Sequence, residues 1–141
     1  MMQFSVVIPT RNRPEALAAC LASFARLVYP AGAWELIVVN DGGDASFTAV
    51  PSHLHQTLPL KLIDAPHAGP AAARNRGAAA ATFDTLAFTD DDCCVTPDWL
   101  HQFAYGFAQT GVDGLGGSWV NPQPENVAMR ASHFLIEFMY G

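Results

Sequence analysis

The amino-acid sequence predicts a three-layer α/β/α sandwich built around a mainly parallel sheet. Short apolar runs, several of them rich in β-branched residues, alternate along the chain with stretches that are rich in alanine or carry an apolar stripe at helical spacing. Such alternation is typical of right-handed βαβ units, which cover both faces of a parallel sheet with helices. Polar residues directly follow three of the apolar runs, as expected at the carboxyl edge of such a sheet.

Five segments are predicted as strands. They are residues 4–8, 34–39, 58–63, 86–88 and 112–120. Pro59 favours an edge position for the third strand, because proline cannot donate to a strand ladder. The uncharged run 86–88 predicts a buried strand of a parallel sheet. Gly116 and Gly117 in the last strand predict a bulge or a close backbone approach.

Five segments are predicted as helices. They are residues 14–27, 46–54, 71–81, 97–110 and 127–140. A proline-rich break at 121–124 divides the chain, so we expect one unit over 1–120 and the start of another region over 121–141. The last helix carries an apolar surface without a visible partner. Either it packs back on the sheet, or a longer protein continues beyond it, or it pairs two copies of the chain as a homo-oligomer.

The composition excludes several classes of protein. Half of the residues are hydrophobic and 14% are charged, which argues against disorder. A net charge of −6 argues against a nucleic-acid partner. The three cysteines lack disulfide spacing, and neither a secretory leader nor a membrane span is visible. A cytoplasmic protein with reduced thiols is therefore expected, and membrane association of a longer protein stays open.

An acidic triplet, Asp90, Asp91 and Asp92, follows the predicted strand 86–88 directly. Side chains alternate along an extended chain, so Asp90 and Asp92 are expected to point one way and Asp91 the other. Neighbouring carboxylates repel, and a hard divalent cation bound by one or two carboxylates and by phosphates is a common remedy. The alternative is a solvated turn or a helix cap, although the next helix has its own start signal at Thr96.

Three strand exits are expected to converge at one edge of the sheet. They are residues 10–13, 41–44 and 90–92. None carries the glycine-rich pattern of a dinucleotide fold or of a P-loop. A phosphate bound at this edge would therefore need a metal ion and arginines. The sequence offers carboxylates that could hold the metal, and it offers arginines beside them.

Four segments together resemble a known family. SVVIPTRNRPEAL, LIVVNDGGD, GPAAARNRGA and LAFTDDDCCVTPDWL, in that order, are similar to the nucleotide-binding half of family 2 glycosyltransferases with the GT-A fold. The similarity covers about residues 3–120. It implies an inverting transfer of a sugar from a nucleotide diphosphate, often uridine diphosphate (UDP), with magnesium or manganese as the cofactor.

The resemblance also implies roles for residues of the first two exits. Pro9, Thr10 and Asn12 would line the base and ribose site, with Arg13 close by. Asp41 would accept a hydrogen bond from the base, and a carboxylate can indeed accept from a uracil N–H. The alternative for Asp41 is an ordinary Asp-Gly turn.

The remaining implied roles fall on the alanine-rich helix and the acidic triplet. Arg74 and Asn75 would lie beside the nucleotide, although an ion pair on the helix face also accounts for Arg74. Asp90 or Asp91 would bond the ribose hydroxyls, and Asp92, with Asp90, would bind the metal. His67 is the one histidine expected to be able to touch a phosphate.

The resemblance does not supply a catalytic base. Glu125 and Glu137 are the only carboxylates after Asp113, and neither lies in a matching motif. The acceptor-binding half is also absent from the resemblance, and residues 121–141 are expected to be the truncated start of that acceptor-side region. The acceptor therefore stays unknown and could be a glycan, a lipid or another molecule. Two other classes remain open, namely a donor-binding module without catalysis and a nucleotidyltransferase, although the latter usually has a glycine-rich loop after its first strand.

Overall fold

A computed structural model describes residues 1–43, 50–118 and 120. The chain divides into two units, Met1–Tyr105 and Gly106–Gly141. The described elements are β1 (Phe4–Thr10), α1 (Pro14–Phe24), β2 (Trp34–Asp41), α2 (Ser52–Thr57), β3 (Leu60–Ala65), α3 (Pro70–Ala79), β4 (Thr85–Phe88) and α4 (Trp99–Thr110). Within the described residues, no helix is both long enough and apolar enough to cross a membrane.

The first unit is built on a four-stranded parallel sheet in the order β3-β2-β1-β4. All seven residues of β1 are buried, and β2 is buried except for Glu35. These two strands are the β-branched runs, which explains their place at the centre of the sheet. The edge position that Pro59 predicts for β3 is confirmed.

Helices cover both faces of this sheet, which confirms the three predicted layers. On one face, Phe24 of α1 stacks on Trp34 of β2, with ring centroids 6.1 Å apart. On the other face, Ala73 of α3 packs in a buried cluster with Val7 and Val39. Because side chains alternate along a strand, consecutive residues of β1 and β2 serve opposite layers.

Residues 86–88 form a strand as predicted, but the prediction that this strand is buried is wrong. β4 forms, but it pairs with β1 alone among the described strands. Leu86 is 37% exposed and Phe88 is 46% exposed, and only Ala87 of this strand is buried. An apolar run indicates a strand, but it does not tell whether a neighbour lies on its second side.

The strand predicted over 112–120 is also wrong, since residues 112–118 form no strand. Three glycines in this segment, Gly114, Gly116 and Gly117, leave few side chains to pack on a sheet. The predicted helices 14–27 and 71–81 end earlier, at Phe24 and Ala79.

Other calls fall partly or wholly outside the described residues. Of the helix predicted over 46–54, the described part starts at Ser52. The helix predicted over 127–140, together with Glu125 and Glu137, lies outside the described residues.

Gly77 allows α3 to lie directly on the sheet. A Cβ atom at this position would come 2.3 Å from Val7 Cγ1 and 3.3 Å from Val39 Cγ2. Gly77→Ala should therefore lower the free energy of unfolding by about 1–3 kcal/mol, the usual cost of overpacking a core, despite alanine's better helix propensity.

Chemical denaturation of the two variants would measure this cost. Ala79→Ser, at an exposed position of the same helix, is the matched control and should change stability by less than about 0.5 kcal/mol. Equal stability of Gly77→Ala and the wild type would show that the helix can move away from the sheet without cost.

Candidate nucleotide-binding site

The predicted strand exits converge at the carboxyl edge of the sheet, where they line an open cleft of about 430 Å³. The cleft is lined by Pro9, Thr10, Arg11, Arg13, Asp41, His67, Pro70, Arg74, Asp90 and Asp91. The parallel sheet forces this convergence, because every strand ends at the same edge. The site thus combines carboxylates and arginines on a rigid frame.

Asp91 joins the exit of β1 to the exit of β4. Its carboxylate is buried and accepts a hydrogen bond from Thr10 Oγ1 at 2.8 Å. Its second oxygen accepts from Arg13 Nη1 at 3.2 Å. Both oxygens are therefore engaged within the protein, which makes Asp91 a clamp between two loops.

Asp90 and Asp92 are exposed and pair with different arginines. Arg74 Nη2 donates to Asp90 Oδ1 at 2.5 Å, and Arg13 Nη1 donates to Asp92 Oδ2 at 3.1 Å. Asp91 alone of the three is buried, but the predicted alternation of direction is wrong, because the chain turns at Asp90 and Arg13 Nη1 contacts both Asp91 and Asp92. The counter-charge that the triplet needs is supplied by these two guanidinium groups.

Contacts from α1 support the loop that carries the triplet. The Cys93 N–H donates to Asp90 O at 3.1 Å and closes a turn. The Cys20 thiol donates to the same carbonyl at 3.6 Å, and its burial raises its pKa, so it stays protonated. Ser23 Oγ accepts from the Val95 N–H at 3.0 Å. The loop is thus held from the helix side.

The acidic triplet fits one mode of divalent-metal binding. No group of three or more His, Cys, Asp or Glu residues in the described part of the chain is arranged to hold a metal. Asp90 and Asp92, however, have side chains that are 54% and 57% exposed and retain unused lone pairs. Mg²⁺ commonly binds through one or two such carboxylates and completes its shell with water and substrate phosphates.

Asp41 is the most heavily hydrogen-bonded carboxylate in the cleft. Ala68 N–H donates to Oδ1 at 2.8 Å, while Gly69 N–H and His67 Nδ1 lie 3.0 and 2.7 Å from Oδ2. The Ala68 N–H, with His67 and Gly69, holds the pKa of Asp41 below its usual range despite its burial. Asp41 therefore fixes the loop between β3 and α3, which goes beyond a local Asp-Gly turn.

The structure brings together most of the predicted site residues. Those that line the cleft are Pro9, Thr10, Arg13, Asp41, Arg74, Asp90 and Asp91. Asn12, with φ 55°, and Asn75, which is exposed on α3, do not line it. Asp92 also lies outside the lining and contacts it through Arg13.

Two lining residues, Arg11 and Pro70, had no assigned place in the predicted site, and a third, His67, was expected only to be able to touch a phosphate. Among the residues that the structure describes, Arg11 forms no hydrogen bond or ion pair, so its charge faces the cleft without a carboxylate partner. Pro70 begins α3, and His67 contacts Asp41. Arg11 could have been found from its place in the first exit, whereas His67 needed the contact with Asp41.

This fold is shared with glycosyltransferases of the GT-A class. S. aureus TarS 1-349 in complex with UDP-GlcNAc has a TM-score of 0.70 at 24% identity, over 84% of this chain and 37% of that one. The mannosyltransferase PcManGT from Pyrobaculum calidifontis, in complex with GDP-Man and Mn²⁺, has a TM-score of 0.71 at 26% identity, over 78% and 33%.

The chain belongs to glycosyl transferase family 2, whose family model matches residues 5–140. The glycosyltransferase AglE of Haloferax volcanii is 33% identical over 117 residues, which are 81% of this chain and 38% of that protein. The uncharacterized glycosyltransferase YwdF of Bacillus subtilis is 36% identical over 105 residues, 73% of this chain and 37% of its own length. The chain thus spans less than two-fifths of each of these relatives, and the resemblance seen in the four sequence segments is confirmed.

Proposed function

We propose that this chain forms the donor-binding part of an inverting glycosyltransferase that takes its sugar from a UDP-sugar with a divalent cation. The observation that carries this proposal is the cleft at the carboxyl edge, where Asp90 and Asp91 lie among three arginines and Asp92 pairs with one of them, Arg13. Two carboxylates suited to a metal and several guanidinium groups suited to phosphate oxygens are what a nucleotide diphosphate requires.

The order of the strands supports one direction for the nucleotide. β2 and β4 flank β1, so Asp41 and Asp90 lie on opposite sides of Thr10. We assign the base to Asp41, as the family resemblance implies, since this carboxylate accepts three hydrogen bonds within the protein and has lone-pair capacity for a fourth. We assign the ribose to Asp90, whose side chain is 54% exposed, and not to the buried Asp91.

A divalent cation, magnesium or manganese, would be held by Asp92 and Asp90, where it would neutralise charge on the diphosphate leaving group. Arg13 and Arg74 now pair with the same two carboxylates. Once these carboxylates no longer pair with the two arginines, the guanidinium N–H groups are available to bind phosphate oxygens. The catalytic base, which would deprotonate the acceptor hydroxyl, is assigned to none of the described residues. The acceptor is left open.

Calorimetry with UDP on the 141-residue chain tests the donor and the metal together. We expect manganese to strengthen UDP binding by about tenfold or more, which corresponds to about 1.4 kcal/mol. Uridine, which lacks phosphates, is the matched ligand control and should gain nothing from manganese. Equal affinity for UDP in manganese and in a chelator would contradict the metal part of the proposal.

A further inference from the structure

His67 stands out among the groups of the cleft that the proposed donor contacts do not use. Its imidazole lines the cleft, and its side chain is 51% exposed. Among the described residues that line the cleft, it carries the only aromatic ring. A half-exposed ring in a polar cleft is available to a ligand.

The ring is also held in place before any ligand binds. Its Nδ1 lies 2.7 Å from Oδ2 of the buried Asp41, which fixes one edge of the imidazole. The backbone of Gly42 passes close beneath His67, because a Cβ atom on Gly42 would come 2.5 Å from His67 N and 2.8 Å from His67 Cβ. Gly42 has φ 71°, so glycine is favoured there on conformational grounds as well. This position is therefore built by two strand-end residues.

The contact with Asp41 also decides which part of the ring is left to a ligand. A hydrogen bond in the ring plane engages an edge of the imidazole and not its faces. The flat face of the ring suits a nucleobase, since unpaired bases stack on histidine as they do on other aromatic side chains.

We propose that the His67 ring is the platform on which the base of the donor nucleotide stacks, with Asp41 bonded to the ring and Gly42 packed against the backbone of the same residue. This inference rests on the proposed function and adds the residue that contacts the face of the base. Stacking on an aromatic side chain is tolerant of base identity. His67 therefore supplies affinity for the nucleoside, and the choice among bases belongs to the hydrogen bonds at their edges.

Two substitutions separate the ring from its hydrogen bond. His67→Phe keeps an aromatic ring and loses the bond to Asp41, whereas His67→Asn keeps an amide that can reach Asp41 and loses the ring. We expect His67→Asn to weaken UDP binding about tenfold or more, and His67→Phe to stay within about threefold of the wild type. Calorimetry with UDP measures both, and circular dichroism melting checks that both variants fold.

The opposite order, with His67→Asn binding normally and His67→Phe binding poorly, would show that His67 only positions Asp41 and would overturn the proposal. Inorganic pyrophosphate, which has no base, should bind both variants as it binds the wild type. A loss of pyrophosphate binding in both variants would mean that the imidazole contacts phosphate, which also overturns it. If the wild type bound no UDP, the proposed function itself would fall. If the wild type bound UDP and His67→Asn bound it equally well, only the role of His67 would fall.

Discussion

Asp92→Asn is expected to remove the manganese dependence of UDP binding and to leave the fold intact. The asparagine has nearly the same shape but no charge, and a hard divalent cation depends on carboxylate charge. The Asp92 side chain is 57% exposed, and its partner Arg13 is 58% exposed. An exposed pair of this kind contributes about 0–1 kcal/mol, so the melting temperature should hardly change.

Calorimetry with UDP, in manganese and in a chelator, measures this effect. Manganese is expected to raise the affinity of the wild type for UDP by about tenfold or more, and it should leave the affinity of the variant about unchanged. Asp84→Asn is the matched control, since it makes the same chemical change at an exposed aspartate just before β4, at the other end of that strand. A variant at position 92 that keeps the full manganese gain would place the cation elsewhere.

Asp41→Asn should weaken UDP binding more than binding of adenosine diphosphate (ADP). If Asp41 accepts from the uracil N–H, loss of a hydrogen bond to a charged acceptor costs about 1.5–3 kcal/mol, or about tenfold and more in affinity. The structure predicts an additional loss that both nucleotides share, because Asp41 also holds the Ala68 and Gly69 amides.

Comparing UDP with ADP in the same variant separates these two losses. The loss seen with ADP measures the anchoring of the loop, and the excess seen with UDP measures the contact with the base. Asp64→Asn is the control, because Asp64 is an aspartate near the end of β3 that contacts Asn40 and does not line the cleft. Equal losses for the two nucleotides would restrict Asp41 to holding the loop.

The same variant should respond differently to acid. Hydrogen bonds from Ala68, with His67 and Gly69, hold the pKa of Asp41 below its value in the unfolded chain, which is about 3.9. Asp41 therefore contributes its full stability above about pH 4, and the contribution is lost as the pH falls through the lowered pKa of the folded state. The folding stability of the Asp41→Asn variant should therefore lack this part of its dependence on pH.

Much of the frame of the site followed from the sequence. The β-branched runs of β1 and β2 predicted the centre of the sheet, and parallel topology then placed the three polar exits at one edge. The sequence could not show which charges pair, because the pairing of Arg13 and Arg74 with the triplet depends on a turn at Asp90 and on the position of α3.

The role of Asp41 was only partly predictable for a similar reason. Its contact with the base is implied by the family, but its bonds to Ala68 and Gly69 join residues 27 and 28 positions apart. Such a contact appears only when β2 and β3 lie side by side. The same pairing brings His67 over Gly42, which no local pattern in the sequence indicates.

The position of β4 has a consequence for handling the protein. In the part of the sheet that the structure describes, one side of β4 has no partner strand. Two residues of this strand, Leu86 and Phe88, have partly exposed side chains. Unpaired N–H and C=O groups beside apolar side chains are a template on which strands of other chains can add. The concentration at which the protein aggregates should therefore depend on this edge, and a lysine in place of Phe88 should raise it.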